Sequence, residues 1–208
     1  MPLSVSTPDD PRCRDLLEFW FGIRVDDADV IADRSALWFG GDAELDATIR
    51  ARFGRLRETA IAGQLDDWLA RPRGLLALVI LVDQFSRNLF RGDPRAFEHD
   101  ALARTWCEQG LRDGVDRALR PIERLFLYLP LEHSESLQDQ QRSVALFAAL
   151  RDAAPATLRE SFGDFFGYAE RHRDVIARFG RFPHRNAALG RVSTAQEIAF
   201  LRQPGSSF

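Results

Sequence analysis

Apolar residues recur along the chain at spacings of three and four, and the strict alternation that marks a half-buried strand is missing throughout. Residues 11–21 read as a first helix: Asp9 or Asp10 caps it, Pro11 takes the first helical position, Leu16, Leu17, Trp20 and Phe21 form the apolar face, and Gly22 stops it. Past the acidic connector 26–29, a second helix closes on Leu37, Trp38 and Phe39 before two glycines. Asp42 caps a third, with Leu45, Ile49, Phe53, Leu56 and Ile61 at near-helical spacing, and Gly63 ends it. Residues 65–70 suggest a short helical turn. Pro72 then starts a helix carrying the run LLALVILV at positions 75–82, which continues through Asp83, Gln84 and Phe85 without a turn signal. A segment of this length and composition predicts a central, fully enclosed helix rather than a strand.

Asp93 and Pro94 predict a cap and first position for a helix through Ala103 and Trp106 toward Gly110. Pro121 opens another, expected to close at Pro130 because a proline removes a backbone donor and crowds the preceding turn. An amphipathic helix follows Glu132, His133 and Ser134 and runs to Ala153, with Ser134 expected to cap it. Pro155 breaks it, and Thr157 is expected to cap the next. Over residues 158–179, Leu158, Phe162, Phe165, Ala169, Ile176 and Phe179 share one stripe, and His172 lies inside it. Gly180 is the expected C-cap, and the Thr194/Glu197 capping box opens a last helix over 195–202. The pattern predicts an all-α single domain over 11–208, preceded by a loose polar arm at 1–10.

Composition supports a well-filled core. A chain of 208 residues, 45% apolar, with 16 Phe and 4 Trp buries about 70% of its unfolded surface and needs no staple. Cys13 and Cys107 form no CxxC pair and have no histidine at zinc spacing, which fits a reducing compartment and ordinary packing. The N-terminus lacks the basic start and apolar run of a secretory signal, and the eight residues of 75–82 fall far short of the roughly 20 that span a bilayer. The expectation is a cytoplasmic protein with no membrane partner. All 28 basic residues are arginine, read here as genome composition, so an individual arginine needs local evidence before it signifies a site.

Charge provides some of that evidence. Residues 171–191 hold six arginines against the single acid Asp174, a net +5, while the chain totals -3 and the remainder therefore carries -8. A cationic island in an acidic chain ordinarily faces something anionic. The overall charge, with no broad basic face, argues against nucleic acid. Within the island His172 reads first as a core histidine bonded to a carbonyl, whereas His184, Arg185 and Asn186 follow a proline in a loop able to meet a ligand. Arg87 and Arg91 stand one turn apart, so on a continuous helix their forks would share one anion; the plainer alternative is that they offset the helix C-terminus and pair with Asp83 or Asp93. His133 sits beside Glu132 and Glu135 at a helix break, where a neighbouring carboxylate would tune it for acid or base work. The four histidines, His99, His133, His172 and His184, show no ligand spacing, so no metal and no cofactor are expected.

Four stretches carry a family resemblance: FWFG at 19–22, DQFSRNLFRGDPRAF at 83–97, YLPLEHSESLQDQQRSVALF at 128–147 and HRDVIARFGRFPHRNAALGRVST at 172–194. In them the chain resembles the bacterial domain-of-unknown-function family 924, departing at Ser86, where the family usually has proline. The resemblance implies a fold of packed helical hairpins, tetratricopeptide-like, and brings no activity, substrate or cofactor. Its pattern includes Arg87, Asn88, Arg91, Glu132, His133, His172, Arg181, His184, Arg185, Asn186 and Arg191, and leaves His99 outside. Three readings follow. One is a pocket for a small phosphate or carboxylate compound, in which His133, His184 and Glu132 are the candidate catalytic groups and Arg87, Asn88, Arg91, His172, Arg181, Arg185, Asn186 and Arg191 bind the ligand. Another is a helical scaffold for a peptide or protein partner. The third is a structural ion network of Asp83, Glu132 and Glu135 with the arginines.

Overall fold

The apolar run that the sequence marks as central is central in the molecule. The computed structural model describes residues 10–206; residues 1–9 of the expected arm and the last two residues lie outside that range. Helix α4 (Pro72–Val79), a wider π turn (Ile80–Gln84) and α5 (Phe85–Leu89) form one continuous helical rod. Every side chain from Leu75 to Val82 is fully enclosed. Around the rod lie α1 (Pro11–Phe21), α2 (Asp27–Phe39), α3 (Ala43–Ile61), α6 (Asp100–Arg112) and α7 (Pro121–Glu132). Helices α8 (Leu137–Ala153) and α9 (Arg159–Phe179) form a hairpin packed along its length, and α10 (Ala195–Leu201) closes the chain. The fold is all-α, and no strand occurs among the described residues.

Aromatic edges set how the first helices meet the rod. The Trp20 ring lies 5.3 Å from Phe85 and 5.5 Å from Phe126, while Phe126 also meets Phe21 at 5.4 Å and Trp38 at 4.8 Å, all edge to face. That geometry suits the ring quadrupoles. Gly74 permits a second close approach: a Cβ there would stand 2.4 Å from the Trp68 carbonyl oxygen, so no larger residue fits without moving backbone. A smaller patch of Val175, Ile176 and Phe182, covered by Phe179 and Phe200, lies apart from the main core.

Several helix ends fall where the sequence places them. Asp10 accepts from the Arg12 amide, Asp42 from that of Glu44, and Thr194 and Glu197 form both bonds of a capping box. Gly180 takes the left-handed conformation that ends α9, at φ 68°. Four ends differ. Helix α7 runs through Pro130 to Glu132; the burial of Leu129 and Leu131 offsets the roughly 3 kcal/mol that an interior proline costs. Ser136, not Ser134, caps α8. Thr157 falls inside a single 3-10 turn (Ala156–Leu158), so α9 starts at Arg159. Asp93 and Pro94 open only a short turn (Pro94–Ala96), and α6 begins at Asp100.

Because Phe126 touches three rings from two other helices, Phe126→Ala should cost about 3–5 kcal/mol. Urea unfolding checks this: the midpoint falls while the slope stays constant.

Candidate functional site

The π turn decides where the polar chemistry lies. Its wider ring, closed by the Phe85 amide on the Ile80 carbonyl five residues earlier, inserts one residue into the helical repeat and lets Phe85 face the core while Asp83 turns to α7. Asp83 is wholly buried. Gln84 Nε2 donates to its Oδ2 at 2.6 Å, His133 Nδ1 stands 2.8 Å from its Oδ1, and Arg87 Nη1 lies 3.3 Å from the same oxygen while donating to the Asp83 carbonyl at 2.7 Å. Arg87 also grips Asp100, the first residue of α6, through two bonds of 3.0 and 3.1 Å. Arg185 reaches the same carboxylate at 3.3 Å. Three of the sequence-predicted residues, Arg87, His133 and Arg185, thus meet through two aspartates.

Protonation states follow from these contacts. Burial works to raise the Asp83 pKa, but Arg87, then His133 and Gln84, outweigh it and hold the carboxyl well below the usual range. An ionised carboxylate only accepts, so His133 Nδ1 carries the proton and Nε2 of the neutral ring is the lone-pair nitrogen. Burial and then Arg87 hold the His133 pKa below 6.5, against the pull of Asp83. At neutral pH His133 is therefore an unprotonated base, with 15% of its side chain exposed. Burial, reinforced by Asp83, pushes Glu132 in the other direction, to about 8, so its carboxyl is a neutral acid. The sequence expectation that Glu132 or Glu135 tunes His133 is replaced: Glu132 faces His172, at 3.3 Å, and Glu135 faces Arg191.

His172 is buried and its Nδ1 lies 2.9 Å from the Tyr168 carbonyl, the core-histidine arrangement that the stripe implies. Because that carbonyl only accepts, Nδ1 bears the hydrogen. Burial lowers His172 to about 3 and His184 to about 4, so both rings are neutral. The Phe182 ring stands 5.5 Å from the rings of both. Arg185 is flanked by Phe97 at 4.7 Å and Phe182 at 4.5 Å. Burial first, then Arg87, pulls its pKa down to about 10, whereas the carboxylates facing Arg87, Arg91 and Arg181 raise theirs. Within this group Arg185 is the under-compensated cation, and its Nε is buried without a hydrogen-bond partner among the described residues.

Other candidates lie elsewhere. Helix α5 ends at Leu89, so Arg87 and Arg91 lose the common phase that a continuous helix would give. Arg91 and Asn88 turn to Asp46 on α3, with Asn88 Nδ2 2.8 Å from Oδ1. Arg181 forks onto Glu197 of α10 at 2.6 and 2.8 Å, and Asn186 donates to Ser193 at 3.0 Å. Arg191 forks onto Glu135 at 2.8 and 3.0 Å and also caps the Phe182 carbonyl. Arg181, Asn186 and Arg191 thus brace the 182–194 loop, whereas Asn88 and Arg91 tie the end of α5 to α3. The cationic island therefore faces the chain's own acids, Glu197, Asp100 and Glu135. Asp100 escaped the sequence reading because an acid in the first turn of a helix is an ordinary dipole complement.

Among the described residues no three His, Cys, Asp or Glu side chains are grouped to hold a metal, and no helix is long and apolar enough to cross a membrane. Together fold and site define a class: an all-α domain that buries an Asp-His-Arg cluster where helix ends and a C-terminal loop meet. The chain belongs to the bacterial family DUF924, whose description is "bacterial protein of unknown function" and which residues 16–205 match. A solved structure titled as a protein of unknown function from Agrobacterium tumefaciens is similar to it, with 35% identity over 91% of this chain and 96% of that one and a TM-score of 0.78. No curated protein matches.

The buried acid has a pH signature. Since the folded pKa of Glu132 lies near 8 and its ordinary value is 4.5, the fold keeps a proton that the unfolded chain releases. The associated stability is fully present below 4.5 and is lost as pH rises through 8. Relative to Glu132→Gln, the wild type should lose stability across that window, by at most ~1.4 kcal/mol per pH unit. Urea midpoints of both proteins at several pH values check it, and a constant difference would mean that Glu132 is ionised in the fold.

Proposed function

We propose that the cluster binds a small anionic compound, a carboxylate or phosphate, and moves a proton on it, with His133 as general base and Glu132 as acid. The observation that carries this reading is the pairing of His133 with Asp83 at 2.8 Å, which orients the ring and leaves Nε2 as the basic nitrogen on a partly exposed side chain. Adjacent groups whose surroundings push their pKa values apart, a base kept unprotonated and an acid kept neutral, are an arrangement suited to proton transfer near neutrality. Arg185 adds a cation with charge to spare beside them, and a guanidinium fork grips carboxylate and phosphate alike. His184, neutral and close to Phe182, is a second candidate for contact with the ligand.

A second reading is favoured by the carboxylate partners of Arg87, Arg91, Arg181 and Arg191: the network serves to lock helices and loop together. The two readings differ in what an added anion does. On the functional reading, one member of a panel of phosphate esters and small carboxylic acids, at a hundred times its dissociation constant, stabilises the protein by about 2.7 kcal/mol. Arg185→Ala abolishes that gain, as read by thermal unfolding. A panel without any anion-dependent shift leaves the structural lock.

Where a panel compound is turned over, His133→Ala should lower the rate by about 10²–10⁴-fold. The rate should rise as pH passes upward through the His133 pKa, below 6.5, and fall near 8 as Glu132 ionises. Initial rates across that range check both limbs.

A further inference from the structure

The last carbonyls of a helix have no donor within it, and at the end of α7 one side chain meets them. Gln140, fully buried on α8, donates through Nε2 to the Glu132 carbonyl at 2.6 Å and to the Ser134 carbonyl at 2.7 Å, with that of Leu131 at 3.5 Å. The carbonyls it holds flank His133 on both sides. His133 itself is the C-cap of the helix, at φ -82° and ψ -7°. Its own amide donates back to Leu129 at 2.9 Å. The direction in which the imidazole leaves the backbone is therefore fixed by the peptide groups on either side of it.

We propose that Gln140 is a positioning residue: by clamping the peptides before and after His133 it aims the ring so that Nδ1 stays on Asp83 and Nε2 is the nitrogen offered to a ligand. This rests on the reading of His133 as the proton-transfer group. The chemistry demands a side chain with two N–H donors on a short planar head. Leucine at 140 fills the volume but leaves two buried carbonyls unmet, and asparagine is one methylene too short to span both.

The test uses the ligand-free full chain with ¹⁵N-labelled histidine. In the wild type the neutral His133 ring is held as the Nδ1–H form, whereas a free imidazole favours Nε2–H. Gln140→Leu should convert the Nδ1–H signature of His133 to a mixture and, as the ring loses the Asp83 contact that pulls its pKa upward, move its titration further below the ordinary 6.5. Leu150→Ala, which opens a cavity further along the same helix, should leave both unchanged. If Gln140→Leu does not fold, Gln140→Asn should give the same changes at smaller amplitude. An unaltered tautomer and titration in the Gln140 variants, or an equal disturbance in Leu150→Ala, overturns the proposal. Because no ligand enters the experiment, its outcome is independent of whether any anion stabilises the protein.

Discussion

One buried carboxylate organises the polar half of this molecule. A charge removed from water costs several kcal/mol unless other groups pair with it, and Asp83 is fully enclosed at the end of the central rod. Arg87, one turn further along, supplies the opposite charge, and its remaining donors draw in Asp100 and so fix the start of α6. His133 supplies a neutral donor and brings in the end of α7. Through Asp100 the same charge extends to Arg185 and the C-terminal loop. Three helices and a loop are thus joined by the requirement to solvate a single group. The aromatic packing around Phe126 settles the other half without reference to it.

The loop is secured from its far side as well. Phe182 takes part in the small apolar patch with Val175 and Ile176, while Arg181 ties the loop's entry to Glu197 on α10. Glu135 accepts both from the Phe182 amide and from Arg191, so one carboxylate holds both ends of the segment. The placement of Arg185 therefore depends on the last helix, which touches none of the central charges.

What could be read from the sequence and what could not divides along physical lines. Helix ends such as Asp10, Asp42, Gly180 and Thr194 are local decisions of a few residues, and a window of sequence contains all that makes them. So too is the enclosed run of 75–82. The continuation of α7 past Pro130 is not local, because burial against other helices offsets a cost the window sees alone. The partners of the cationic island lie outside such a window too: the acids that meet Arg181, Arg191 and Arg185 are 16, 56 and 85 residues away. Arg87, His133 and Arg185 stood out as chemistry-bearing, but nothing local separates them from Asn88 and Arg91. That distinction is made by where α5 stops.

The π turn also bears on how the gene can change. Surface connections absorb added or lost residues with little effect on what they join. A deletion in the ordinary turns of the rod, between Leu75 and Val79, would instead swing everything after it by about 100° about the axis, carrying Arg87 away from its partners or Phe85 out of the core, whereas the loss of one residue within the π turn would return that turn to ordinary pitch and keep the phase beyond it. A residue inserted in the ordinary turns would swing it the opposite way. Substitutions at these positions alter one contact, whereas length changes in the ordinary turns would dismantle the whole polar assembly at once. Indels among descendants of this gene should accordingly accumulate in the connections between helices and spare the ordinary turns of this rod.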